Sequence, residues 1–418
     1  MAPSFSILIP TRDRASTLGA CVETCLAQEY AALEVIVSDN ASGPETAEVL
    51  ARFSDPRLKV LRQDKRLSMR ANFDVLANAA TGDYVIIIGD DDGIMPGAIS
   101  AMARYLSEND VDVLNWPGLV YSWPGVLAPG VGLMDFKIRR LFGTLEHIDP
   151  QERFRRLLKG RLRTYLDGSN LYHGCIKRSV IEASKAKAGH VFPLHVPDVY
   201  ACMGFLPYAR SMAYFHHPLS IAGVSGASHG FSYQADIDPE TGKREPTPAE
   251  RFALEANADP VVARPYNPYL RSTQYHAAIS LLHASTLLGR EAELDLDAWV
   301  EIIIAEARKF CNLTQVIPTL DPGFELDRRL IARIEREGAA LNVEPVPVVG
   351  KSARRQRFGR LLLRSARAGE DTVMTAFRTL ELLLGKPTIA SASTMARTLR
   401  WLALRTKSAT IRFREGKT

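Results

Sequence analysis

The sequence lacks the long apolar segment that a membrane-spanning helix requires. Across its 418 residues, no stretch offers the roughly 18 consecutive apolar residues that such a helix needs. The first apolar run, residues 5–9, is too short for the hydrophobic region of a secretory signal and is ended by Pro10. We therefore expect a cytoplasmic protein, and its length suggests about two to three domains.

Cysteine is also scarce. The chain has five cysteines, an odd number scattered along the sequence. Cys21 and Cys25 lie one helical turn apart, but no second pair accompanies them. We therefore expect neither a disulfide framework nor a structural zinc site, and a reducing compartment suits this composition.

Two common phosphate-binding motifs are missing as well. No Gly-x-Gly-x-x-Gly follows the first predicted strand and no Gly-Lys-Ser/Thr loop occurs, so dinucleotide-binding and P-loop folds are not supported. What the N-terminal part contains instead is an alternation of short β-branched runs with helical patterns. The runs cover residues 5–9, 33–38, 58–61 and 84–88. This alternation predicts an α/β fold with a mostly parallel, doubly wound sheet, followed by a mainly α-helical C-terminal region.

Polar residues cluster where these predicted strands end. The fourth run stops at Gly89 and three adjacent carboxylates follow. Parallel strands share one carboxyl edge, and α/β proteins bind ligands at that edge. A hard divalent cation such as Mn²⁺ or Mg²⁺, bridging a nucleotide diphosphate, would relieve the repulsion among the carboxylates. The polar residues at strand ends are Thr11, Arg12, Asp13, Asp39, Asn40, Asp90, Asp91 and Asp92.

Five segments, in their order and spacing, resemble the family 2 glycosyltransferases of GT-A fold. They are residues 6–14, 34–42, 69–72, 81–84 and 90–92. The resemblance covers residues 4–107, with weaker signals to residue 230. It implies an inverting, metal-dependent enzyme that moves a sugar from a nucleotide-diphosphate donor, with a UDP-sugar favoured. The acceptor would be a saccharide or a lipid-linked saccharide in the synthesis of cell-surface polysaccharide or glycolipid.

The resemblance also implies roles for residues of the donor site. Asp39 would face the nucleotide base. Asp90 and Asp92 resemble the outer members of the family's Asp-x-Asp motif, with Asp92 as the direct metal ligand and His229 as a later ligand that completes the site. Arg70 matches a basic position close to the nucleotide, although an ordinary solvated helix residue is the alternative. The remaining predicted donor-site residues are Thr11, Asp13, Asn40 and Asp91.

An inverting transferase needs a general base that takes the proton from the attacking hydroxyl. The family supplies it from a Glu-Asp pair about 100 residues after the metal motif, and Asp198 is the match here. Pro197 stands where the family has glutamate. The alternative for Asp198 is the N-cap of the following helix.

The C-terminal end is basic. Residues 351–418 hold 16 Lys or Arg and 4 Asp or Glu, and leucine, phenylalanine and tryptophan lie among the arginines. Such a tail suits an anionic membrane surface, which predicts a peripheral location on its inner face. Packing on the body or on a second subunit is the alternative, and no nucleic acid is expected. The predicted division is 1–230 (catalytic), 231–262 (polar linker or excursion), 263–350 (helical) and 351–418 (basic tail).

Two other functions stay open at this point. A sugar nucleotidyltransferase also has an α/β sheet, but it would need a glycine-rich phosphate loop, and residues 10–14 contain no glycine. A catalytically degenerate, membrane-associated binding protein of the same fold is the second alternative. Three aromatic side chains in a loop rich in glycine and proline could stack on an acceptor sugar or form a local hydrophobic plug: Trp116, Tyr121 and Trp123.

Overall fold

The computed structural model describes residues 2–126, 131–137, 141, 143–161, 165–226, 248–337, 360–364 and 372–384. The β-strands of this part are β1 (Phe5–Thr11), β2 (Leu33–Asp39), β3 (Leu58–Arg62), β4 (Tyr84–Ile87), β5 (Gly93–Ile94), β6 (Val113–Asn115), β7 (Leu119–Ser122), β8 (Leu133–Lys137), β9 (Leu145–Ile148), β10 (Gly174–Lys177), β11 (Met212–Phe215), β12 (Ser220–Val224) and β13 (Arg360–Arg364).

The same ranges contain these α-helices: α1 (Ala15–Leu26), α2 (Pro44–Leu50), α3 (Met69–Ala79), α4 (Ala98–Glu108), α5 (Pro150–Leu158), α6 (Arg178–Ala188), α7 (Pro197–Gly204), α8 (Pro248–Asn257), α9 (Thr273–Leu287), α10 (Leu296–Ala307), α11 (Leu313–Val316), α12 (Glu325–Glu337) and α13 (Val373–Leu384). None of these helices is long and apolar enough to cross a membrane.

The central sheet has the strand order β3-β2-β1-β4-β10-β6-β11-β9. The first four strands in this order are parallel to one another, which confirms the predicted alternation. Beyond β4 the sheet is mixed, because β10 pairs antiparallel with both β4 and β6, and β9 pairs antiparallel with β11. The α/β prediction is therefore confirmed, with the parallel arrangement concentrated in the first four strands.

Both faces of the parallel strands are buried. Along β1, Leu8 joins one hydrophobic cluster, whereas Ile7 and Ile9 join the other. Successive side chains of a strand point to opposite faces of the sheet. A strand covered by helices on both faces therefore reads as the continuous apolar run seen in the sequence.

A second sheet lies against the carboxyl edge of the first, in the order β13-β8-β7-β12-β5. Its strand β12 pairs with β5, which directly follows the three aspartates, through Ser220 with Ile94 and Ile221 with Gly93. This pairing brings the end of β12 beside the aspartates, although 128 or more residues separate them in the chain.

The C-terminal helices pack on this α/β body. Helix α9 contacts α7, and α10 contacts both α9 and α12, so the predicted helical region is confirmed. Where the sequence predicts a polar linker, residues 248–257 form α8. Most of α8 is polar, but it has a small apolar face: Phe252, Ala253 and Ala256 are buried together with Tyr266.

Part of the basic tail also packs on the body. Helix α13 lies against α1, with Val373, Ala376 and Leu380 fully buried, and Arg378 forms an ion pair with Glu23 at 3.3 Å. Strand β13 pairs antiparallel with β8. For these two segments the structure shows packing on the body, which the sequence left as an alternative to membrane binding.

Candidate active site

The three aspartates form a buried turn at the end of β4. Asp90, Asp91 and Asp92 are 9%, 9% and 3% exposed. Asp92 N–H donates to Gly89 O at 3.1 Å, which closes the turn. Asp90 Oδ2 accepts a hydrogen bond of 2.8 Å from Thr11 Oγ1. The ends of β1 and β4 therefore meet at one edge, as the parallel pairing requires.

The second sheet holds the other two carboxylates. Asp92 Oδ1 accepts from Gly223 N at 2.7 Å and Asp92 Oδ2 accepts from Gly89 N at 2.7 Å. Asp91 Oδ2 accepts from Ser225 Oγ at 2.7 Å and from Ser225 N at 3.3 Å. Both oxygens of Asp92 thus accept hydrogen bonds from backbone N–H groups, so this carboxylate links the end of β4 to β12.

The aromatic residues near this turn belong to the core. Trp116, Tyr121 and Trp123 are 2%, 0% and 6% exposed. Trp123 Nε1 donates to Asp91 O at 2.9 Å, and Trp116 Nε1 donates to Ser220 Oγ at 2.8 Å. They form the hydrophobic plug, and so a surface for stacking an acceptor sugar is not available on them.

Burial and mutual repulsion both act on the carboxylates of the aspartate turn. Burial raises the pKa of Asp90 to about 7, the charge of Arg14 opposes this rise, and the charge of Asp91 adds to it. Burial, and then the charge of Asp91, raise the pKa of Asp92 well above its usual range. Buried carboxylate oxygens at a ligand-binding edge fit a hard divalent cation.

The structure does not bring three ligands together, however. Within the ranges given above, no group of three or more His, Cys, Asp or Glu side chains is arranged as a metal site. His229, the predicted later ligand, lies outside the described residues. A cation at this turn would therefore have to complete its coordination with oxygens of a bound ligand, as Mg²⁺ does with substrate phosphates.

The end of β2 lies on the other side of β1 from the aspartate turn. We call the region bordered by the ends of β1, β2 and β4 the crevice. Asp39 is 1% exposed; its Oδ1 accepts from Ser42 N at 3.0 Å and its Oδ2 from Arg62 Nη1 at 3.1 Å. Asn40 is fixed to Leu67 in both directions, with its Nδ2 donating to Leu67 O and its Oδ1 accepting from Leu67 N. The two side chains are preorganised beside the first loop.

Strained backbone marks the rim of the crevice. Among the described residues other than glycine, positive φ angles occur at Asp13 (53°), Ala41 (52°) and His173 (80°). Asp13 is held by Arg66 Nη2 at 3.0 Å. Such conformations cost free energy and cluster at functional sites. Two of the three lie in the loops after β1 and β2, and the third directly precedes β10.

Arg70 has protein partners in place of a ligand. It is 6% exposed, and its Nε donates to Asp259 Oδ2 at 2.6 Å while its Nη1 reaches Asp74 Oδ2 at 3.3 Å and Phe192 O at 3.2 Å. The solvated alternative is wrong, because the side chain is buried. Its contacts fasten the segment after α8 onto α3.

Asp198 lies at the start of α7. Val196 is the N-cap and Pro197 the first helical residue, so the predicted N-cap role for Asp198 is wrong by two positions. Burial raises the pKa of Asp198, against hydrogen bonds from the backbone of Val199 and of Asp198 itself. A raised pKa brings a carboxylate closer to the range that suits a general base.

Tyr172 connects Asp198 to the aspartate turn, and sequence reasoning missed it. Burial, and then the charges of four carboxylates, raise the pKa of its hydroxyl; they are those of Asp92, Asp91, Asp198 and Asp90. Tyr172 is therefore within electrostatic reach of both predicted parts of the site. No local signal singles out this tyrosine, since its neighbours are set by long-range strand pairing.

The fold and the crevice are those of α/β proteins that bind ligands at the carboxyl ends of parallel strands. Residues 6–159 match the model of the family described as glycosyl transferase family 2. These residues contain β1 to β4 and the aspartate turn, so the part of the chain that carries the crevice is similar to that family.

Curated relatives match over part of the chain. Glycosyltransferase GlyG of Streptococcus pneumoniae is 28% identical over 116 residues, which is 27% of this chain and 38% of that protein. The GalNAc(5)-diNAcBac-PP-undecaprenol beta-1,3-glucosyltransferase of Campylobacter jejuni is 29% identical over 109 residues, 25% of this chain and 35% of that protein. The chain thus spans well under half the length of these relatives.

Among solved structures, TarS 1–349 of S. aureus in complex with UDP-GlcNAc is similar over 80% of this chain and 91% of that chain. The sequence identity is 15% and the TM-score is 0.45.

Proposed function

We propose that this chain is an inverting glycosyltransferase that moves a sugar from a nucleotide-diphosphate donor, with a UDP-sugar favoured, to a saccharide or lipid-linked saccharide acceptor. The observation that carries the proposal is the crevice itself. It joins the ends of β1, β2 and β4, lies within the residues that match the family, and holds three buried aspartates, of which Asp90 has its pKa raised to about 7 by burial. A divalent cation bound with the donor diphosphate would stabilise these carboxylates in their charged form.

The donor would lie across the strand ends. Asp39 and Asn40 would border the nucleoside, and Thr11 and Asp13 would line its pocket. Arg70 would support this region from α3 through its buried ion pair with Asp259. Each of these roles follows from the position of the residue at the crevice and from the family resemblance.

Asp90 and Asp91 would hold a divalent cation, Mn²⁺ or Mg²⁺. When bound, the cation would stabilise the charge that develops on the leaving diphosphate. The sequence assigned the direct contact to Asp92, but both oxygens of Asp92 accept backbone hydrogen bonds. We therefore propose that Asp92 supports the turn, and His229 stays a predicted additional ligand.

Asp198 would act as the general base. Its carboxylate takes the proton of the acceptor hydroxyl while that oxygen attacks the anomeric carbon, on the face opposite the leaving nucleotide. The bond to the diphosphate breaks, and the configuration at the anomeric carbon inverts. The raised pKa of Asp198 and its place in the first turn of α7 support this role, with Pro197 where the family has glutamate.

The setting of the reaction is proposed on the relatives. The Campylobacter jejuni relative is named for an undecaprenol-linked saccharide, and the Rhizobium meliloti relative ExoO is named for succinoglycan biosynthesis. A cytoplasmic enzyme that works at the inner face of the membrane would meet such acceptors. The parts of residues 351–418 outside β13 and α13 would supply the basic contact with anionic lipid, and a second copy of the chain is another candidate partner.

One experiment separates this proposal from its alternatives. The purified full chain is incubated with UDP-glucose, UDP-GlcNAc or GDP-mannose, with Mn²⁺ and with a lipid-linked saccharide that accepts the sugar, and release of the nucleoside diphosphate is measured with and without EDTA. A parallel reaction offers nucleoside triphosphate and sugar 1-phosphate, and pyrophosphate is measured. Metal-dependent release from one donor is expected. Pyrophosphate production would identify a nucleotidyltransferase, and donor binding without turnover of any donor would identify the degenerate protein.

A further inference from the structure

Tyr172 lies directly over the turn that carries the three aspartates. A β-carbon built on Gly89 would lie 2.6 Å from the Tyr172 hydroxyl oxygen and 3.1 Å from both Asp91 Oδ1 and Asp92 Oδ2. The hydroxyl and the two carboxylate oxygens therefore surround the same small space. A side chain at position 89 would fill that space, and the Tyr172 hydroxyl would have to shift to admit it.

The segment before Tyr172 is hydrogen-bonded to two strands of the central sheet. Ile87 N–H, at the end of β4, donates to Leu171 O at 3.0 Å. Asn170 Oδ1 accepts from Tyr172 N at 2.9 Å, and Asn170 N donates to Asn115 Oδ1 at 3.1 Å. The backbone of Tyr172 is thus held to the aspartate strand and to β6.

The same segment is packed against the helix that carries Asp198. Ser169 N donates to Cys202 O at 2.8 Å, and Ser169 Oγ donates to Ala201 O at 2.7 Å. A β-carbon on Gly168 would lie 1.8 Å from Cys202 O. These contacts tie the segment before Tyr172 to helix α7, as the preceding contacts tie it to the aspartate strand.

Strain accompanies this arrangement. The next residue, His173, has a φ of 80°, which is unfavourable for a side chain with a β-carbon. Its Nδ1 hydrogen-bonds Ser220 Oγ at 2.8 Å, next to the strand that holds Asp92. The fold keeps a strained residue beside Tyr172, and such strain is typical of functional sites.

We propose that the Tyr172 hydroxyl contacts the transferred sugar of the donor and donates a hydrogen bond to one of its oxygens during transfer. This inference rests on the proposed function. Asp90 and Asp91 would hold the diphosphate and Asp198 would face the attacking oxygen, so a group that lies between them faces the sugar. Among the described residues, no protein group hydrogen-bonds this hydroxyl, so the donor would be its partner.

The chemistry of the phenol restricts what it can do. Tyrosine is neutral at pH 7, and nearby carboxylates keep it so. The hydroxyl can therefore donate a hydrogen bond to an oxygen whose charge changes in the transition state, but it does not take up the acceptor's proton. Its loss should lower the turnover number more than donor affinity.

The test compares Tyr172→Phe with Tyr105→Phe in the full chain. The Tyr105 hydroxyl, on α4, is buried without a hydrogen-bond partner in the described structure, so its removal deletes the same atom away from the crevice. With the donor that the wild type turns over, we expect kcat for Tyr172→Phe to fall about 10- to 100-fold and that for Tyr105→Phe to stay within about twofold. Affinity for UDP with Mn²⁺, measured by calorimetry, should change less than about threefold in both.

The outcomes separate the two levels of the inference. A wild type that turns over no donor overturns the proposed function and this inference with it. An active wild type with an equally active Tyr172→Phe variant overturns the role of Tyr172 alone, and so does a loss of UDP affinity as large as the loss of kcat. Gly89→Ala tests the contact through stability. This substitution should lower the melting temperature more when it is made in the wild type than when it is made in Tyr172→Phe, and equal decreases would refute the contact.

Discussion

Carboxylates lie at both edges of the parallel strands, and their pKa values are shifted in opposite directions at the two edges. At the amino edge, burial alone would raise the pKa of Glu34, but hydrogen bonds from Lys59, Ser6 and Thr81 outweigh it and lower the pKa to about 2. At the carboxyl edge, 56 positions further along the chain, burial raises the pKa of Asp90 to about 7.

The difference lies in the partners that the protein provides. Glu34 has an ion pair with Lys59 at 2.6 Å and hydrogen bonds from Ser6 Oγ at 2.5 Å and Thr81 N at 2.7 Å. For Asp90 the charge of Arg14 and the hydroxyl of Thr11 oppose the rise, but burial and the charge of Asp91 outweigh them. At one edge the protein's own partners hold the carboxylate in its charged form, and at the other burial and a neighbouring carboxylate raise the pKa, a pattern common at functional sites.

The largest effect that we expect at the carboxyl edge is on activity. Asp198→Asn removes the proposed base, so turnover should fall about 10²- to 10⁴-fold, while the melting temperature and UDP affinity stay near those of the wild type. Asp295→Asn is the matched control, because Asp295 caps α10 by accepting from Ala298 N and asparagine caps equally well. Turnover by Asp198→Asn close to the wild-type rate would remove Asp198 from the mechanism.

At the amino edge the expected effect is on stability. Since the folded pKa of Glu34 lies below its unfolded value of 4.5, its contribution is present above pH 4.5 and is lost as the pH falls toward 2. Glu34→Gln should therefore lower the free energy of unfolding by about 2 kcal/mol at pH 7. Urea titrations at pH 7 and pH 3 measure the difference, which should shrink at the lower pH; a constant difference would contradict the pairing.

Asp90→Asn should change the free energy of unfolding in the opposite direction from Glu34→Gln. The folded pKa of Asp90 is raised from 3.8 to about 7, so its contribution is complete below pH 3.8 and is lost as the pH rises through 7. Asparagine keeps the acceptor for Thr11 and removes the charge. We expect the metal-free variant to be about 1–2 kcal/mol more stable than the wild type at pH 8 and inactive in transfer. A variant that is less stable than the wild type at pH 8 would show that the charge of Asp90 stabilises the fold, as the charge of Glu34 does.

The smallest expected effect concerns the cation. Metal ligands must be deprotonated, so Mn²⁺ should bind about 10-fold more tightly at pH 8 than at pH 6 if Asp90 is a ligand. Electron paramagnetic resonance of free Mn²⁺ gives both dissociation constants directly. Asp90→Asn should lose this pH dependence, and an unchanged dependence in that variant would assign the cation to other groups.

The sequence was sufficient for the features that depend on local pattern. The apolar runs of β1, β2 and β4 could be recognised because both faces of these strands are buried, and the polar residues after them follow from the parallel arrangement. The basic character of Arg70 was equally visible. Its partner Asp259 is 189 residues away, and no local pattern reports such a pair.

The rest of the site depends on pairing between distant segments. Strand β12 reaches the aspartate turn through β5, and β10 enters the sheet antiparallel beside β4, which carries Tyr172 to Gly89. Helix α8 was missed for another reason. Its composition is polar, and only Phe252, Ala253 and Ala256 form a buried stripe, too short a signal to distinguish a packed helix from a linker.

The position of α13 changes what a truncated chain would mean. Its ion pair from Arg378 to Glu23 closes a loop of 355 residues, and its apolar face completes the core beside the first helix. During synthesis, the surface of α1 that α13 covers would stay exposed until residues 373–384 have been added to the chain. Removing residues 351–418 would therefore expose α1 as well as delete basic charge, and lost activity in such a protein would report a damaged catalytic domain before it reported a lost membrane contact.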